Sequence, residues 1–434
     1  MLLIYTHRIT KRVKYIFKLI FENLLGIKFV LTSNKEDFRN YNGAKINYSK
    51  QIIDDEIFFL SHNLLFEKGI KEQNLLFSES EQSKVFFINN NKKSALAFDP
   101  FAASFYLVSR YEEYLPYIKD KYNRFSAKNS IAYKYGFLDK PVVNIWAIKI
   151  AEIIKQKFSS FNIPEKNYKF IPTIDIDIAY SYKSKGFVRT IGGYLRALKN
   201  IDFHEIAERT KVLTKSKKDP FDTYQFIFDI HKKHNLNPIY FILCADYAQY
   251  DKNINTQDNL FRSLIKSIAD YAQIGIHPSF ASNTNPGKLK IEKNRLSKII
   301  NKEITKSRQH FLKLDLPATY RNLIKNDITD DYTMGYASEL GFRASICSDF
   351  NFYDIDLETE TNLKVHPFAV MDGTLKDYMK MSDDNAISYI RPLIKQVKDV
   401  NGTFISLWHN ESFSNAKTWK GWQKVYEEMV KLSI

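Results

Sequence analysis

Apolar residues in the first 160 positions alternate between short runs and helically spaced stretches. Residues 2–6 (LLIYT) predict a buried strand, and residues 10–25 show helical spacing with Gly26 as the stop. The runs KFVLTS, KINYS, EIFFL and KVFFINN predict further strands, and two longer stretches after them predict helices. We expect a small mixed α/β unit here. An amphipathic membrane helix at residues 10–25 is the weaker alternative, because flanking strands imply a core for it to pack on.

A polar, proline-containing stretch at residues 158–170 is the best domain boundary. Beyond it, strand and helix patterns alternate, which favours a parallel sheet or barrel with its active site where strands end. The predicted strands are IPTIDIDIAY, NPIYFILCAD, QIGIHPSF, RQHFLKL, GFRASIC, LKVHPFAVMD and GTFISLWHN. We therefore predict two domains, residues 1–160 and 165–434.

Length and charge narrow the class of protein. A chain of 434 residues exceeds what one core usually organises, and 44% apolar content is ample for packed interiors. The net charge of +15 comes from dispersed lysines without a basic-aromatic motif, so no nucleic-acid partner is expected. The cluster at residues 211–218 (KVLTKSKK) is interpreted as solvated loop, with an anionic membrane or acidic polysaccharide as the alternative contact.

Cysteine usage and hydropathy bear on the compartment. Cys244 and Cys347 lie in apolar runs and are predicted to be buried free thiols. The N-terminal run MLLIYT is too short for a signal peptide, and no run approaches the roughly 20 apolar residues of a membrane span. We expect a cytoplasmic protein, with peripheral contact to the inner membrane face left open and no partner protein deducible.

Two carboxylates stand two residues apart in the apolar run at residues 171–181 (IPTIDIDIAYS). Side chains alternate across a strand, so Asp175 and Asp177 are expected to emerge on one face. Burying two acids side by side is costly unless a cation or a proton transfer compensates. The pattern therefore indicates a functional site, and a strand that ends in solvated acids is the alternative.

The strands that follow supply partners for these two acids. Asp177 and His277 are suitable ligands for a cation such as Zn²⁺, which would acidify water and polarise a carbonyl group. Asp175 would then be free to act as general base, and His409 as general acid from the opposite side. Arg308 could hold Asp175 ionised, and Asp372 could orient His409.

At these residues the chain resembles the polysaccharide deacetylases of carbohydrate esterase family 4. The matching features are TxDxD, a strand ending in His, an Arg-bearing strand and a strand ending in LxH, over residues 165–434. The phrases GIHPSF, SRQHFLKL, DYTMGYASELGFRAS, VMDGTL and LWHNESF look like a Bacteroidetes-type, DxD-bearing branch with an added N-terminal domain. The resemblance implies a distorted (β/α) barrel and a divalent metal, with Asp175 as base, Asp177 and His277 as ligands, and His409 as acid. Arg308 and Asp372 match more loosely as the partners of base and acid.

One position departs from that family. Its second motif places two His residues four positions apart, whereas this chain has HPSFA, with Ala281 in the second place. The missing ligand could come from His310, from Ser282 or Asn283, or from extra waters on another cation. Alternatively, the metal is absent and the fold has become a binding module.

Further candidates are weaker. Trp408, Asn410 and Tyr320 are candidate substrate-binding residues, although packing of the C-terminal aromatic residues against the barrel explains Trp408 equally well. Four charged residues in and just after the predicted helix that begins after Phe98 could form a site, but a helix surface linked by ion pairs explains them more simply. These are Arg110, Glu112, Glu113 and Asp120.

Together these features predict a metal-dependent hydrolase that removes acetyl groups from an amino sugar or acetylated glycan in surface-polysaccharide metabolism. The expected cofactor is Zn²⁺, with Co²⁺, Mn²⁺ or Ni²⁺ as alternatives. The expected substrate is a glycan or a nucleotide- or lipid-linked sugar intermediate. A catalytically silent sugar-binding or assembly protein and a different amide hydrolase are the competing hypotheses.

Overall fold

The N-terminal half forms a parallel four-stranded sheet covered by helices. The computed structural model describes residues 1–79 and 84–434. Strand order is β2-β1-β3-β4, and β5 and β6 form a separate hairpin. The strands are β1 Leu2–Thr6, β2 Phe29–Thr32, β3 Lys45–Ser49, β4 Ile57–Leu60, β5 Phe77–Glu79 and β6 Lys84–Phe86. The helices are α1 Lys11–Phe17, α2 Lys35–Arg39, α3 Pro100–Val108, α4 Ile131–Lys134 and α5 Val142–Lys157.

The helix expected at residues 10–25 is present and packs into the core. Thr10 caps α1 by accepting a hydrogen bond from the Val13 backbone N–H, and the helix continues with π geometry over Lys18–Leu24. Gly26 has a φ of 68°, which suits its place just after the helix. The apolar side chains of this segment are buried, so it is a core helix and the alternative of a membrane helix is not supported.

The C-terminal half is built on a nine-stranded sheet in the order β12-β13-β11-β10-β9-β8-β7-β15-β14. The pairings are parallel except for β12, which runs antiparallel to β13. The strands are β7 Lys169–Ile176, β8 Ile239–Ile242, β9 Gln273–Ile276, β10 Lys306–Ser307, β11 Asp330–Asp331, β12 Phe350–Asp354, β13 Thr359–Val365, β14 Val370–Met371 and β15 Thr403–His409. The helices are α6 Phe187–Lys199, α7 Phe203–Leu213, α8 Tyr224–Lys233, α9 Asn259–Ala269, α10 Gly287–Ile300, α11 Ala318–Lys325, α12 Asp383–Asp399 and α13 Trp422–Ser433.

The predicted α/β class and parallel sheet are confirmed. Within the described ranges no ladder joins β14 to β12, so closure into a barrel stays an expectation. In that same part of the chain, no helix has the length and apolar character needed to cross a bilayer. Cys244 and Cys347 are buried free thiols, as expected.

Three predicted strands differ from the structure. The run LKVHPFAVMD is divided between the end of β13 and the two-residue β14. The run RQHFLKL forms no strand: β10 ends at Ser307, just before the run begins, and a 3-10 turn follows in which Phe311 has a φ of 60°. The run GFRASIC forms no strand, because its backbone groups bond elsewhere: Ser345 O accepts from Val143 N, and Cys347 N donates to Asn144 Oδ1. The apolar run predicts a strand, whereas the structure has a buried coil that is held by the start of α5.

The two halves share one continuous apolar core and several buried polar contacts. Arg12 of α1 is 1% exposed, and its Nε donates to Glu358 Oε2 at 3.0 Å. Tyr15 Oη donates to the carbonyl of Asn351 at 2.7 Å. The N-terminal half therefore packs directly against the segment around β12 and β13.

The prediction of a charged helix surface after α3 was wrong for three of its four residues. Arg110, Glu112 and Glu113 are buried, because α3 ends at Val108 and the chain turns inward through Arg110, whose φ is 55°. Arg343 from the C-terminal half completes the cluster by donating to both carboxylate oxygens of Glu113, at 2.9 and 2.6 Å. Helical spacing alone could not reveal a partner 230 residues away. Asp120 instead pairs with Arg124 at 2.8 Å near the surface.

This buried cluster leads to a stability prediction. Burial by itself raises the pKa of Glu113, but Arg343 and Arg110 hold it below its usual value, so the carboxylate is the stabilised form. Glu113→Gln should lower the free energy of unfolding by about 3–5 kcal/mol, since it leaves buried cations without that countercharge. Denaturant unfolding measures the change. Glu152→Gln, at an exposed pair with Lys149, is the matched control and should shift stability by less than about 1 kcal/mol.

Candidate active site and metal centre

The candidate residues meet where the parallel strands end. Asp175 is the penultimate residue of β7, and its register partner on β15 is His409. Asp177 follows β7 directly, and His277 follows β9. The carboxyl ends of neighbouring parallel strands lie at one edge of the sheet, which brings residues distant in sequence together.

Asp177, His277 and His310 form a cluster suited to a divalent cation. One ligand atom from each lies within 4.8 Å of the others. Asp177 Oδ1 is 3.2 Å from His277 Nε2, and Asp177 Oδ2 is 3.2 Å from His310 Nε2. Asp177 Oδ1 and His277 Nε2 are buried and have no hydrogen-bond partner among the described residues. Two such atoms facing each other fit a cation held by one carboxylate and two imidazoles.

Both imidazoles are oriented through their other ring nitrogen. His277 Nδ1 lies 2.6 Å from the backbone carbonyl of Arg308, and His310 Nδ1 lies 2.8 Å from Asp251 Oδ1. Such outer contacts fix the ring and leave Nε2 free to bind a metal. Asp251 is itself held by the backbone N–H groups of Phe280 and Ala281, at 2.9 and 3.4 Å.

His310 thus occupies the position of the missing metal ligand, for which the sequence left three alternatives: His310, a residue of the following loop, or extra waters. It reaches the cluster because β10 stops at Ser307 and the left-handed Phe311 turns the chain sharply. Burial lowers the pKa of His310, but Asp177 and Asp251 outweigh it and raise the pKa to about 9. Burial likewise raises the pKa of Asp177, whereas His310 and His277 hold it well below its usual range. The carboxylates of the site therefore favour a positive charge between them.

Asp175 is buried and held by one arginine. Arg308 Nη1 donates to Asp175 Oδ1 at 2.8 Å and to Thr173 Oγ1 at 2.7 Å. The guanidinium also donates through Nε to the carbonyl of Tyr332 and lies over the ring of Phe241. Asp175 Oδ2 remains directed at the cluster, 3.8 Å from His277 Nε2. Arg308 thus orients one oxygen and leaves the other available to accept a proton.

His409 faces the cluster from the opposite side. Its Nδ1 lies 2.8 Å from Asp372 Oδ1, and its Nε2 lies 3.8 Å from Asp177 Oδ2. Asp372 Oδ2 also accepts from the His409 backbone N–H and from Ser412 Oγ. Burial lowers the pKa of His409, but Asp372 in particular raises it well above the usual value. Asp372 therefore favours the protonated form of His409, whose Nε2 is directed at the site.

A cavity of about 210 Å³ that opens to solvent is lined by Asp175, Asp177, His277, His310 and His409. Apolar residues and Trp419 form part of its wall, and Arg124 reaches it from the N-terminal half. Glu411 also lines it, and burial raises the pKa of Glu411 to about 7. The sequence analysis did not identify Asp251 or Glu411 as site residues. Asp251 lies in a loop that no pattern marks, and the only signal for Glu411 was its place in the LWHNESF motif.

The three candidate substrate-binding residues lie outside this cavity. Trp408 is fully buried against Phe413, Trp422 and Tyr426. Tyr320 is buried on α11 beside Phe352. Asn410 Nδ2 donates to the carbonyls of Ile178 and Phe221, so it fastens loops together. The structure does not bring them to the site; the aromatic wall residue is Trp419.

Comparison with known protein families gives a match in the N-terminal part of the chain. Residues 2–159 match the model of a family of unknown function, DUF7033. No curated protein matches the chain.

Solved structures of deacetylases share a distant likeness with the chain. A proposed polysaccharide deacetylase from Mycobacterium smegmatis is 12% identical with a TM-score of 0.40, covering 62% of this chain and 85% of that one. The polysaccharide deacetylase of Bacillus cereus is 13% identical with a TM-score of 0.29, covering 62% and 86%. A mutant CE4-family pseudoenzyme with restored enzymatic activity is 12% identical with a TM-score of 0.29, covering 62% and 64%. Likenesses of this size carry no weight for function, which is inferred from the site itself.

Proposed function

We propose that this protein is a divalent-metal-dependent hydrolase that removes acetyl groups from an amino sugar or acetylated glycan. The observation that carries the proposal is a pair of buried atoms, Asp177 Oδ1 and His277 Nε2, that have no hydrogen-bond partner in the described part of the chain and that lie beside His310. The proposed base, Asp175, and the proposed acid, His409, lie on either side of this cluster. Such a base and acid on opposite sides of a Lewis acid suit hydrolysis of an amide or ester. The sequence resemblance to polysaccharide deacetylases agrees with it.

The ligand set of one carboxylate and two imidazoles favours Zn²⁺, with Co²⁺, Mn²⁺ or Ni²⁺ as alternatives. When bound, such a cation supplies a Lewis acid that polarises the acetyl carbonyl and acidifies water. Asp177, His277 and His310 would hold it. Asp251 and the carbonyl of Arg308 would keep the two imidazoles in position.

The proton transfers are assigned to two residues. Asp175 Oδ2 accepts a proton as water adds to the carbonyl carbon, while Arg308 stabilises the carboxylate through Oδ1. His409 Nε2–H donates its proton to the departing nitrogen or oxygen as the bond to the acetyl carbon breaks. The products are acetate and the free amine or hydroxyl. Asp372 keeps His409 protonated and aligned.

The size of the cavity bears on the substrate class. Its volume of about 210 Å³ is below the roughly 300–1,000 Å³ of drug-sized ligand sites, which suits one sugar ring at a time. Trp419 offers an aromatic face on which a sugar ring can pack. An acetylated sugar residue within a glycan or sugar intermediate is therefore the proposed substrate.

The experiment combines metal analysis with a substrate panel. Purified protein is loaded with each candidate metal, and acetate release is measured on acetylated amino-sugar oligomers, O-acetylated glycans and simple acetamides. Release from the sugar substrates supports the proposal, and release from the simple acetamides alone would indicate a different amide hydrolase. Binding of the oligomers without acetate release would favour the silent sugar-binding protein.

His409 and Asp372 lead to a pH prediction. The acid form of His409 must be present, so activity should fall as pH rises through its raised pKa. Asp372→Asn removes the main cause of that increase and should move the alkaline limb of the kcat/KM profile to lower pH. We also expect kcat to fall by about 10²-fold. A loss of activity with an unmoved alkaline limb would contradict this role for Asp372.

A further inference from the structure

Helices α6 and α7 form a hairpin with an unusually apolar outer surface, which we name the α6–α7 hairpin (residues 187–213). Eight of the 24 large apolar side chains exposed in the described part of the chain lie in it. Val188, Ile191, Leu195 and Leu198 recur at three- and four-residue spacing on one face of α6. The exposed fractions of Val188 and Leu195 are 82% and 62%. Ile201 and Phe203, at the turn between the helices, are 73% and 66% exposed.

Polar side-chain contacts on its inner face fix the structure of the hairpin. Tyr182 Oη lies 2.9 Å from Glu205 Oε2 and 3.1 Å from Glu208 Oε2. Arg209 pairs with Glu205 and lies over the rings of Tyr182 and Tyr194. These contacts hold α7 against α6 and the chain before it. The apolar stripe of α6 therefore stays on the outside.

The ends of the hairpin are fixed to the loops of the active site. Asp219 accepts hydrogen bonds from the backbone N–H groups of Ser181, Tyr182 and Lys183. Asn410, next to His409, donates to the carbonyls of Ile178 and Phe221, which precede and follow the hairpin. The outward orientation of the stripe is thus coupled to the strands that carry Asp175 and His409.

The segment that carries the stripe has a net positive charge. Residues 183–218 contain ten Lys and Arg against three Asp and Glu. Four of the ten cations are in ion pairs, namely Lys183 and Lys218 with Asp222, Arg209 with Glu205 and Lys217 with Glu208. Two of the three acids, Glu205 and Glu208, are directed at the inner face, where they contact Tyr182. Arg196 and Lys199 are exposed and, by helical position, flank one side of the stripe.

We propose that the α6–α7 hairpin is a membrane-docking element that lies in the interface of a bilayer bearing anionic headgroups. An exposed apolar stripe flanked by basic residues on a strongly amphipathic helix is the pattern of interfacial helices. The stripe covers the 13 residues of α6, about 20 Å of helix, which is enough to lie along a membrane surface. The positive charge complements anionic lipid, whereas an apolar protein interface would not need it.

Docking would place the active site at the membrane surface. The hairpin begins ten residues after Asp177 and ends before loops that contact Asn410. A glycan attached to a lipid could reach the cavity without leaving the bilayer. This consequence rests on the proposed function, whereas docking itself does not depend on catalysis.

The test is co-sedimentation of the full chain with vesicles of phosphatidylcholine, with and without phosphatidylglycerol, and without any substrate. We expect binding to the phosphatidylglycerol vesicles that weakens at high salt. Leu195→Gln/Leu198→Gln should lower the partition coefficient by at least about tenfold through lost apolar burial. Arg196→Gln/Lys199→Gln should lower it by about tenfold through lost attraction to the headgroups.

Matched controls lie away from the hairpin. Leu357 is 61% exposed, and Leu357→Gln should leave binding unchanged, as should Lys92→Gln/Lys93→Gln. Unaltered circular dichroism would show that the hairpin variants remain folded. Failure of the wild-type chain to bind phosphatidylglycerol vesicles would overturn the proposal. The proposal would also be overturned if the wild-type chain self-associates, does not bind vesicles, and becomes monomeric in the Leu195→Gln/Leu198→Gln variant. The stripe would then be an interface between two copies of the chain.

Discussion

Asp175→Asn is expected to reduce acetate release by about 10³-fold or more while the protein stays folded and still binds its metal. The carboxylate is the group assigned to accept the proton of the attacking water, and an amide cannot do so at neutral pH. Arg308 can still bond to the amide oxygen, so the local packing should survive. The measurement is kcat on an acetylated amino-sugar oligomer, with metal content determined on the same sample.

The matched control is Asp384→Asn, an exposed acid in the first turn of α12. It should leave kcat within about twofold of wild type, because exposed substitutions away from a site have little effect. Unchanged acetate release from Asp175→Asn would show that the base is another group. Loss of metal from this variant would instead identify Asp175 as a ligand.

His310→Ala is expected to lower metal affinity by more than about a hundredfold, since it removes one of three protein ligands. Asp251→Asn should have a smaller effect, about 10–100-fold, because Asp251 only orients the His310 ring. The order of the two losses is the informative result. Competition with a chromogenic chelator measures both affinities.

His204→Ala is the control for this pair, because His204 is exposed on α7. It should leave metal affinity unchanged. Wild-type metal affinity in the His310→Ala variant would show that His310 is not a ligand. Ser282 or Asn283 would then be the candidate for the third ligand. Equal losses from His310→Ala and Asp251→Asn would indicate that Asp251 is itself a ligand.

Most of the site's centre was predictable from the sequence. Strand alternation placed Asp175 and Asp177 on one face, and the endings of later apolar runs supplied His277 and His409. This succeeded because parallel strands present their carboxyl ends together, whatever their separation along the chain. Asp372 followed from the same rule, whereas Arg308 was inferred as the charge partner of Asp175; the observed contacts of both match the predicted pairings.

The remaining features depend on the backbone path, which hydrophobic periodicity does not contain. His310 reaches the cluster through the left-handed turn at Phe311, and Asp251 reaches His310 from a loop. Trp408 and Trp419 are indistinguishable by residue type, yet one packs in the core and the other lines the cavity. The Glu113–Arg343 pair joins segments of different halves, so surface spacing gave the wrong prediction for it.

The most direct test is acetate release by protein stripped of metal and then reconstituted with stoichiometric Zn²⁺. We predict that the stripped protein is inactive on acetylated amino-sugar oligomers and that activity appears in proportion to bound Zn²⁺. The Asp177→Ala variant should gain neither metal nor activity. No acetate release from fully metal-loaded protein on any acetylated sugar, or full activity in the stripped protein, would contradict the account.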